Sequence, residues 1–407
     1  MTTRPESPHS PYHEGRLTVA LVVLCQLVHG ISFSAMPLLL PLIREDLGIS
    51  FTDAGLLSAA ATFSYALGQI PAGFLSDRYG PRRLFFIGLL GWSAFSLLLG
   101  LIHVFWLAIT TQLLAGAFRA LLFAPGLSLL ASWFPPQRRA TAMSLYMLGG
   151  FAGTIVLSLG GPLLTAAWGW RAAFMLLAGL GIVTAFVYRR HAREKPRSGP
   201  VQQLTFADVA QLFNHPVMWV CSGLQFVRFA VVTAWIVWLP SLLVVDRGLT
   251  VQQAGLVIAM AAAFTAPSNT LGGYVSDRLR NPPLVIGGAL LVLGCTAFLL
   301  TVATSLPWML LVIALNSIFL QFYFGPLFLV PVEVMGPRIA GTATGFGNLF
   351  ANIGGFLTAW TMGALKDRSG SFTSGFLTIA AVCLAGVLLS IVLARMRRQL
   401  LAAQARG

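Results

Sequence analysis

Apolar residues in this chain come in runs of about 20, each closed by a short polar or charged stretch. Twelve runs can be drawn, at about 17–43, 54–76, 83–102, 104–131, 140–167, 171–190, 216–244, 252–276, 283–304, 306–333, 340–364 and 373–394. As helices rising 1.5 Å per residue, they are long enough to cross a hydrocarbon core of roughly 30 Å. Most connections between them are only a few residues long. The exception is Tyr188 to Gln203, a mid-chain run of Arg, His, Lys, Pro, Ser and Gly that reads as a linker. The expected layout is a disordered tail at 1–15, a six-helix bundle at 16–190, a linker at 191–215, a second bundle at 216–395 and a tail at 396–407.

The punctuation repeats. Gly68-Gln69-Ile70-Pro71-Ala72-Gly73-Phe74-Leu75-Ser76-Asp77-Arg78-Tyr79-Gly80-Pro81-Arg82-Arg83 ends one apolar run in an acid, three arginines and a Gly-Pro turn. Proline lacks an amide donor and disfavours the α region in the residue before it, so a helix stops there. Two hundred positions later Gly73, Ser76, Asp77 and Arg78 return as Gly273, Ser276, Asp277 and Arg278. Arg138 and Ala140 return at the same offset as Arg338 and Ala340. Two parallel six-helix halves, related by a pseudo-two-fold axis, are one arrangement expected of transporters.

Composition agrees with a membrane protein. The 407 residues are 57% hydrophobic and 9% charged, with a mean hydropathy of +0.81, which a soluble domain would not show. Cys25, Cys221, Cys295 and Cys383 lie singly in four spans and read as buried small hydrophobes. The first run is too long for a signal-peptide core and contains Gln26 and His29, so it reads as a retained helix.

The net charge of +14 would suit a nucleic-acid binder, but its placement does not. Of the 26 Lys and Arg, Arg119 and Arg228 lie inside spans. Arg44, Arg171, Arg247, Lys366 and Arg368 fall at one set of loops, and the remaining 19 at the other set and the termini. This is the positive-inside bias, and it puts both termini in the cytoplasm.

The residues quoted so far resemble the major facilitator superfamily over essentially the whole chain. Gly68 to Arg83 resembles that family's motif A, and Gly272 to Arg280 its degenerate second copy. Trp133-Phe134-Pro135-Pro136-Gln137-Arg138-Arg139, Gly161-Pro162 and Gly169-Trp170-Arg171 are similar to its further landmarks. Trp238-Leu239-Pro240, Gly248-Leu249-Thr250 and Ala254-Gly255 resemble its organic-anion branches. The resemblance implies two bundles rocking about a central cavity lined by helices 1, 4, 7 and 10. It also implies a cytoplasmic gate: Gly73 packing close to helix 11, Asp77 at that helix's positive end, and Arg78 and Arg82 completing the charge network. Gly273, Asp277 and Arg278 would be its second copy.

Polar residues inside membrane helices are costly and face interiors or aqueous paths. Here they concentrate on the helices the family places around the cavity: Gln26 and His29 on helix 1, Gln112 and Arg119 on helix 4, and Gln225 and Arg228 on helix 7. Asn316, Gln321 and Tyr323 lie on helix 10, with Asn348 and Asn352 on helix 11. Helices 3, 6, 9 and 12 carry almost nothing stronger than Ser or Thr. His29 and Arg228 lie roughly 18 Å into their spans, and Arg119 is about as central. No acid lies as deep. A central arginine costs roughly 2.5–3.5 kcal/mol on the lenient insertion scale, and two without an internal counter-ion repel each other.

An anionic substrate held by Arg119 and Arg228 would relieve both costs, because guanidinium donates to a carboxylate or phosphate in a bidentate fork. Support from backbone carbonyls or neighbouring amides is the competing reading. The substrate set is therefore Arg119, Arg228, His29, Gln112, Gln225, Gln321, Tyr323, Asn348 and Asn352. His29, the one deep imidazole, is also the candidate carrier of a co-transported proton.

Within the family, organic-anion symporters often carry a glutamate where Arg119 stands, three residues after a glycine like Gly116. The arginine usual in the family's helix 4 motif is replaced by Gln112. Arg228 followed by Trp235, Trp238 and Pro240 is similar to glycerol-3-phosphate-type relatives. Drug antiporters usually have a glycine where Leu157 stands, which weakens the alternative of efflux of drugs or hydrophobic metabolites by proton antiport. No Gly-Lys dipeptide occurs, so no Walker-type loop exists, and no metal-spaced cluster or catalytic triad stands out. The expectation is an all-α transporter in the cytoplasmic (inner) membrane, a monomer without cofactor, metal or nucleic acid, taking up a small organic anion.

Overall fold

The computed structural model describes residues 11–134, 139–195, 215–335 and 340–404. Residues 1–10, most of the expected linker and the last three residues lie outside them. Every element described is a helix: α1 (Pro11–Leu47), α2 (Phe51–Tyr79), α3 (Pro81–Leu99), α4 (Phe105–Ser132), α5 (Arg139–His191) and α6 (Pro216–Thr233). There follow α7 (Val251–Leu279), α8 (Pro282–Val302), α9 (Leu306–Phe319), α10 (Phe324–Met335), α11 (Ala340–Ser369) and α12 (Thr373–Gln404). α1 starts at Pro11, inside the stretch expected as a tail.

Local chemistry sets the boundaries. Pro81 opens α3 directly after Gly80, where a missing amide donor costs nothing. Thr250 and Gln253 open α7 as a reciprocal capping box: Thr250 Oγ1 accepts the Gln253 amide at 3.2 Å, and Gln253 Oε1 accepts the Thr250 amide at 2.9 Å.

Three expected spans are less regular than their hydropathy suggests. Runs five and six form one helical stretch, α5, broken at Gly169 (φ 75°, ψ 166°). Run seven leaves α6 through π-helical turns at Ala234–Trp238 and Leu242–Asp246 on either side of Pro240. Proline lacks the N–H and crowds the carbonyl four residues back, and a widened turn relieves that conflict. Run ten is interrupted: residues 320–323 form a turn between α9 and α10. Gln321 and Tyr323, expected on a continuous helix, therefore sit in the break.

Among the described residues nine segments are long and apolar enough to cross a membrane, and one of them, Leu145–His191, contains the Gly169 break. α2 and α11 fall short of that apolarity. They carry Ser58, Thr62, Ser64 and Gln69, and Asn348, Asn352, Thr358 and Thr361.

By contact the chain forms two units, one of residues up to Met36 with Leu67–Val201, the other of Pro37–Ala66 with Gln202 onward. In the first, α3 packs against α4 and α5 over a core that includes Val22, Cys25, Phe85, Leu89, Leu129, Tyr146 and Tyr188. The Tyr146 hydroxyl donates to the Leu122 carbonyl at 3.0 Å. In the second, α6 packs on α11 and α8 on α12. Cys25, Cys221 and Cys383 are buried, as read from sequence, but Cys295 is exposed. It lies in α8, whose outward face needs no burial in a membrane protein.

In the second copy of the repeated phrase, the tightly packed glycine is Gly272, not Gly273. A Cβ on Gly272 would overlap the Phe322 carbonyl oxygen, whereas Gly273 faces open space. Gly272→Ala is expected to cost about 1–3 kcal/mol by overpacking, with Gly273→Ala near neutral. Thermal unfolding of the two purified variants measures the difference, and equal midpoints would contradict this packing.

Candidate functional site

The polar residues singled out from sequence gather into one cluster in each unit. In the first, α1, α3 and α4 bring His29, Phe33, Trp92 and Arg119 together. The His29 ring meets Trp92 edge-on at 5.3 Å and stacks near Phe33 at 6.2 Å. The Arg119 guanidinium lies over the Phe33 ring, 4.0 Å from its centre. Such a cation–π contact stabilises the guanidinium charge. His29 is buried, and neither ring nitrogen has a hydrogen-bond partner among the described residues. The Trp92 indole N–H is in the same position. Gln112 is buried on α4.

In the second unit, Arg228 is only 4% exposed. Its Nε donates to Gln225 Oε1 at 2.7 Å, and its guanidinium faces the Phe324 and Phe229 rings at 5.0 and 5.6 Å. No carboxylate pairs with it among the described residues, whereas Lys366 in the same unit pairs with Asp246. Tyr323 interacts electrostatically with Arg228, and its hydroxyl is buried without a partner among the described residues. The break between α9 and α10 thus places a tyrosine and the Phe324 ring by the α6 arginine. On α11, Gly347 backs the Gln225 side chain, Asn352 Nδ2 donates to the Asn348 carbonyl at 2.7 Å, and Asn352 Oδ1 is buried and unpartnered among the described residues. Gln321 is half-buried in the break and joins neither cluster by a described hydrogen bond.

Both clusters thus hold a guanidinium on aromatic faces beside unpaired polar groups. A buried polar atom without a partner costs about 1–3 kcal/mol, a cost that Tyr323, His29 and Asn352 each carry among the described residues. Trp238 and Trp235 are packing residues. Trp238 is buried with its indole N–H on the Ala359 carbonyl at 3.1 Å, and Trp235 packs on Phe376.

The gating motif is only partly visible, because the side chains of Gly73 and Asp77 lie outside the described residues. Arg78 is exposed over Tyr79 at 5.5 Å. Arg82 donates to the Arg189 carbonyl at 2.7 Å. Asp277 and Arg278 are exposed.

A second carboxylate arrangement is missed by sequence reading. Asp367, at the end of α11, accepts the backbone N–H groups of Phe51 (3.0 Å) and Thr52 (2.7 Å) and the Thr52 hydroxyl. It caps the first turn of α2. Around it, Phe51 packs on Trp238 and Phe372, with the Arg44 guanidinium 4.1 Å over its ring. Lys366 pairs with Asp246, which also accepts the Phe372 amide at 2.9 Å. A Cβ on Gly363 would overlap the Phe51 carbonyl. Partial burial pushes the Asp367 carboxyl up, but the Thr52 and Phe51 hydrogen bonds and the Arg44 cation outweigh it and hold the group below the usual carboxylate range. Its only sequence signal is the acid itself, since its partners lie 315 and 316 residues away.

Two helical units of long apolar spans, each with a polar cluster of its own, are those of a multi-pass membrane protein. Residues 22–359 match the model of the Major Facilitator Superfamily, and the chain belongs to that family. It is 26% identical to the probable galactarate/D-glucarate transporter GudP of Escherichia coli (strain K12), covering 86% of each chain. It is 25% identical to a D-galactonate transporter of Escherichia coli O6:H1, covering 96% of this chain and 97% of the relative. It is 26% identical to the probable sulfoacetate transporter SauU of Cupriavidus necator, over 86% of this chain and 87% of that one. Its fold is similar to a bacterial homologue of the human lysosomal transporter Spinster, solved inward-facing and unoccupied, with TM-score 0.75 and 20% identity over 95% and 96% of the two chains.

Proposed function

We propose that this transporter carries a small organic acid anion of the sugar-acid kind by alternating access, inward across the cytoplasmic membrane, as a monomer. The observation that carries the reading is Arg228, a buried guanidinium held by an amide and aromatic rings, with no carboxylate on it among the described residues. The relatives named as carriers of galactarate, glucarate, galactonate and sulfoacetate support the same substrate class. In this reading Arg119 and Arg228 hold the carboxylate, while His29, Gln112, Gln225, Gln321, Tyr323, Asn348 and Asn352 bind hydroxyls and set orientation. Asp77 with Arg78 and Arg82 controls the cytoplasmic side, where both termini lie. Asp367 on the start of α2 is the outer latch.

Uptake of labelled sugar acids into proteoliposomes tests the substrate class. Competition by unlabelled aldarate or aldonate, but not by neutral hexose, is the expected result, and inhibition by the hexose alone would overturn it.

A co-transported proton is the coupling ion of this reading, with His29 carrying it. Wild-type uptake is expected to rise when the outside is made acidic, and His29→Gln to lose that dependence while retaining counterflow. Equal pH dependence in both removes the role.

A further inference from the structure

Away from the substrate clusters, at the end of the first unit that carries the Asp77–Arg83 turn, a cleft of about 510 Å³ opens between the start of α3 and the end of α5. Its lining is Arg82, Arg83, Phe86, Ile87, Tyr188, Arg189 and Glu194. We propose that this cleft binds the headgroup of an anionic phospholipid, with Arg83 and Arg189 on the phosphate.

The side chains divide the work. Arg82 is committed to the fold, its guanidinium on the Arg189 carbonyl and its own carbonyl accepting the Tyr188 hydroxyl at 3.3 Å. Glu194, the cleft's one acid, is committed too. Its carboxylate accepts the Arg82 backbone N–H at 3.4 Å and stands against Gly80 at the start of α3, where glycine has no side chain to cap the helix. Arg83 and Arg189 are exposed, and neither guanidinium meets a carboxylate among the described residues. Arg189 lies over the Phe86 ring at 5.0 Å, which holds the cation at the mouth of the cleft. Two free forks over an apolar floor match a phosphodiester, which accepts from guanidinium through two oxygens at once.

The surface beside the cleft selects a lipid over a free anion. Val183, Phe186 and Val187 are 61%, 52% and 40% exposed, and their spacing of three and four residues puts them on one face of α5 leading to Arg190. Phe186 also packs edge-on against Phe86. An acyl chain along that stripe would leave its phosphate at the arginines. Basic pockets between membrane helices at the headgroup level are suited to anionic lipids, and each Lys or Arg near such a surface contributes about 1 kcal/mol.

Full-length protein stripped of lipid in neutral detergent provides the test, read as the thermal unfolding midpoint. Dioleoyl-phosphatidylglycerol is expected to raise the midpoint in a saturable way, because a ligand that binds only the folded state stabilises it. Dioleoyl-phosphatidylcholine and free glycerol phosphate should not. The Arg83→Gln/Arg189→Gln variant should need at least about 10-fold more phosphatidylglycerol for the same shift, a weakening of about 1.4 kcal/mol, whereas Arg278→Gln/Arg280→Gln should respond like wild type. If the double variant does not fold, each single substitution should weaken the response part-way. An equal response to phosphatidylcholine, an equal shift with glycerol phosphate alone, or an unchanged titration in the Arg83/Arg189 variants would overturn the site.

Discussion

Arg228→Gln is expected to reduce sugar-acid uptake at low substrate by at least about 100-fold, with little or no loss of folding stability. Each hydrogen bond to a charged group contributes about 1.5–3 kcal/mol. Losing a bidentate pair to a carboxylate therefore removes roughly 3 kcal/mol of binding, and about 1.4 kcal/mol is tenfold. The stability readout separates binding from structure. If Arg228 were chiefly a brace for α6 through Gln225, the glutamine variant would unfold at a lower temperature. If it waits for an anion, removing a buried cation without a counter-ion leaves the fold as stable or more so. Arg228→Lys keeps the charge but lacks the planar fork, so an intermediate loss is expected. Uptake unchanged in Arg228→Gln would remove the residue from the substrate site.

The second large effect concerns the outer latch. Asp367→Lys should shift the protein toward states open on the outer side. It removes the Asp367 acceptor from the Phe51 and Thr52 amides, leaving only the local Ser50–Asp53 cap, and places a cation at a helix N-terminus. A lost cap costs about 0.5–2 kcal/mol, and a misplaced charge at a helix end a further ~0.3–1 kcal/mol or more. The measurement is labelling by a membrane-impermeant thiol reagent of a cysteine placed at Ala54, which is fully buried in the first turn of α2, in a background lacking Cys25, Cys221, Cys295 and Cys383. Labelling is expected to rise about 5-fold or more, with Asp367→Asn giving a smaller increase. Labelling at the wild-type rate in both variants would refute the latch.

The same group sets a pH dependence whose sign follows from its depressed carboxyl. Ionised Asp367 is favoured in the latched state. The latch is therefore at full strength above the ordinary carboxylate range of about 4 and weakens as pH falls through the lower, latched value. Because the thiolate is the reacting form, labelling of the cysteine at position 54 is normalised at each pH to a freely exposed cysteine. So normalised, it should be flat between about pH 5 and 8 and rise only in stronger acid, and Asp367→Asn should lack that rise.

Local information accounts for what was legible beforehand. The spans follow from runs of about 20 apolar residues, because a bilayer demands that length whatever the tertiary fold. The duplication follows from Gly73, Ser76, Asp77 and Arg78 returning 200 positions later. Arg119 and Arg228 could be singled out because an arginine within an apolar run is too costly to be incidental. The break at residues 320–323 was not legible, since a hydropathy run does not report whether the backbone inside it stays helical. The exchange of roles between Gly272 and Gly273 was hidden for a related reason. Which of two adjacent glycines meets a neighbouring backbone depends on helix rotation, about 100° per residue at 3.6 residues per turn.

By itself, then, the sequence determined an all-helical, duplicated membrane protein with two guanidinium groups inside its apolar runs, because hydropathy, repetition and charge cost are properties of short stretches; that it is a transporter came from the resemblance of its motifs. Only the tertiary structure decided what those groups touch: Arg119 on Phe33, and Arg228 between Gln225 and Phe324 beside Tyr323. It alone placed Asp367 on the first turn of α2 and grouped Pro37–Ala66 with the C-terminal helices. Those pairings join residues up to 316 positions apart. No local pattern encodes them, because they arise from how whole helices pack.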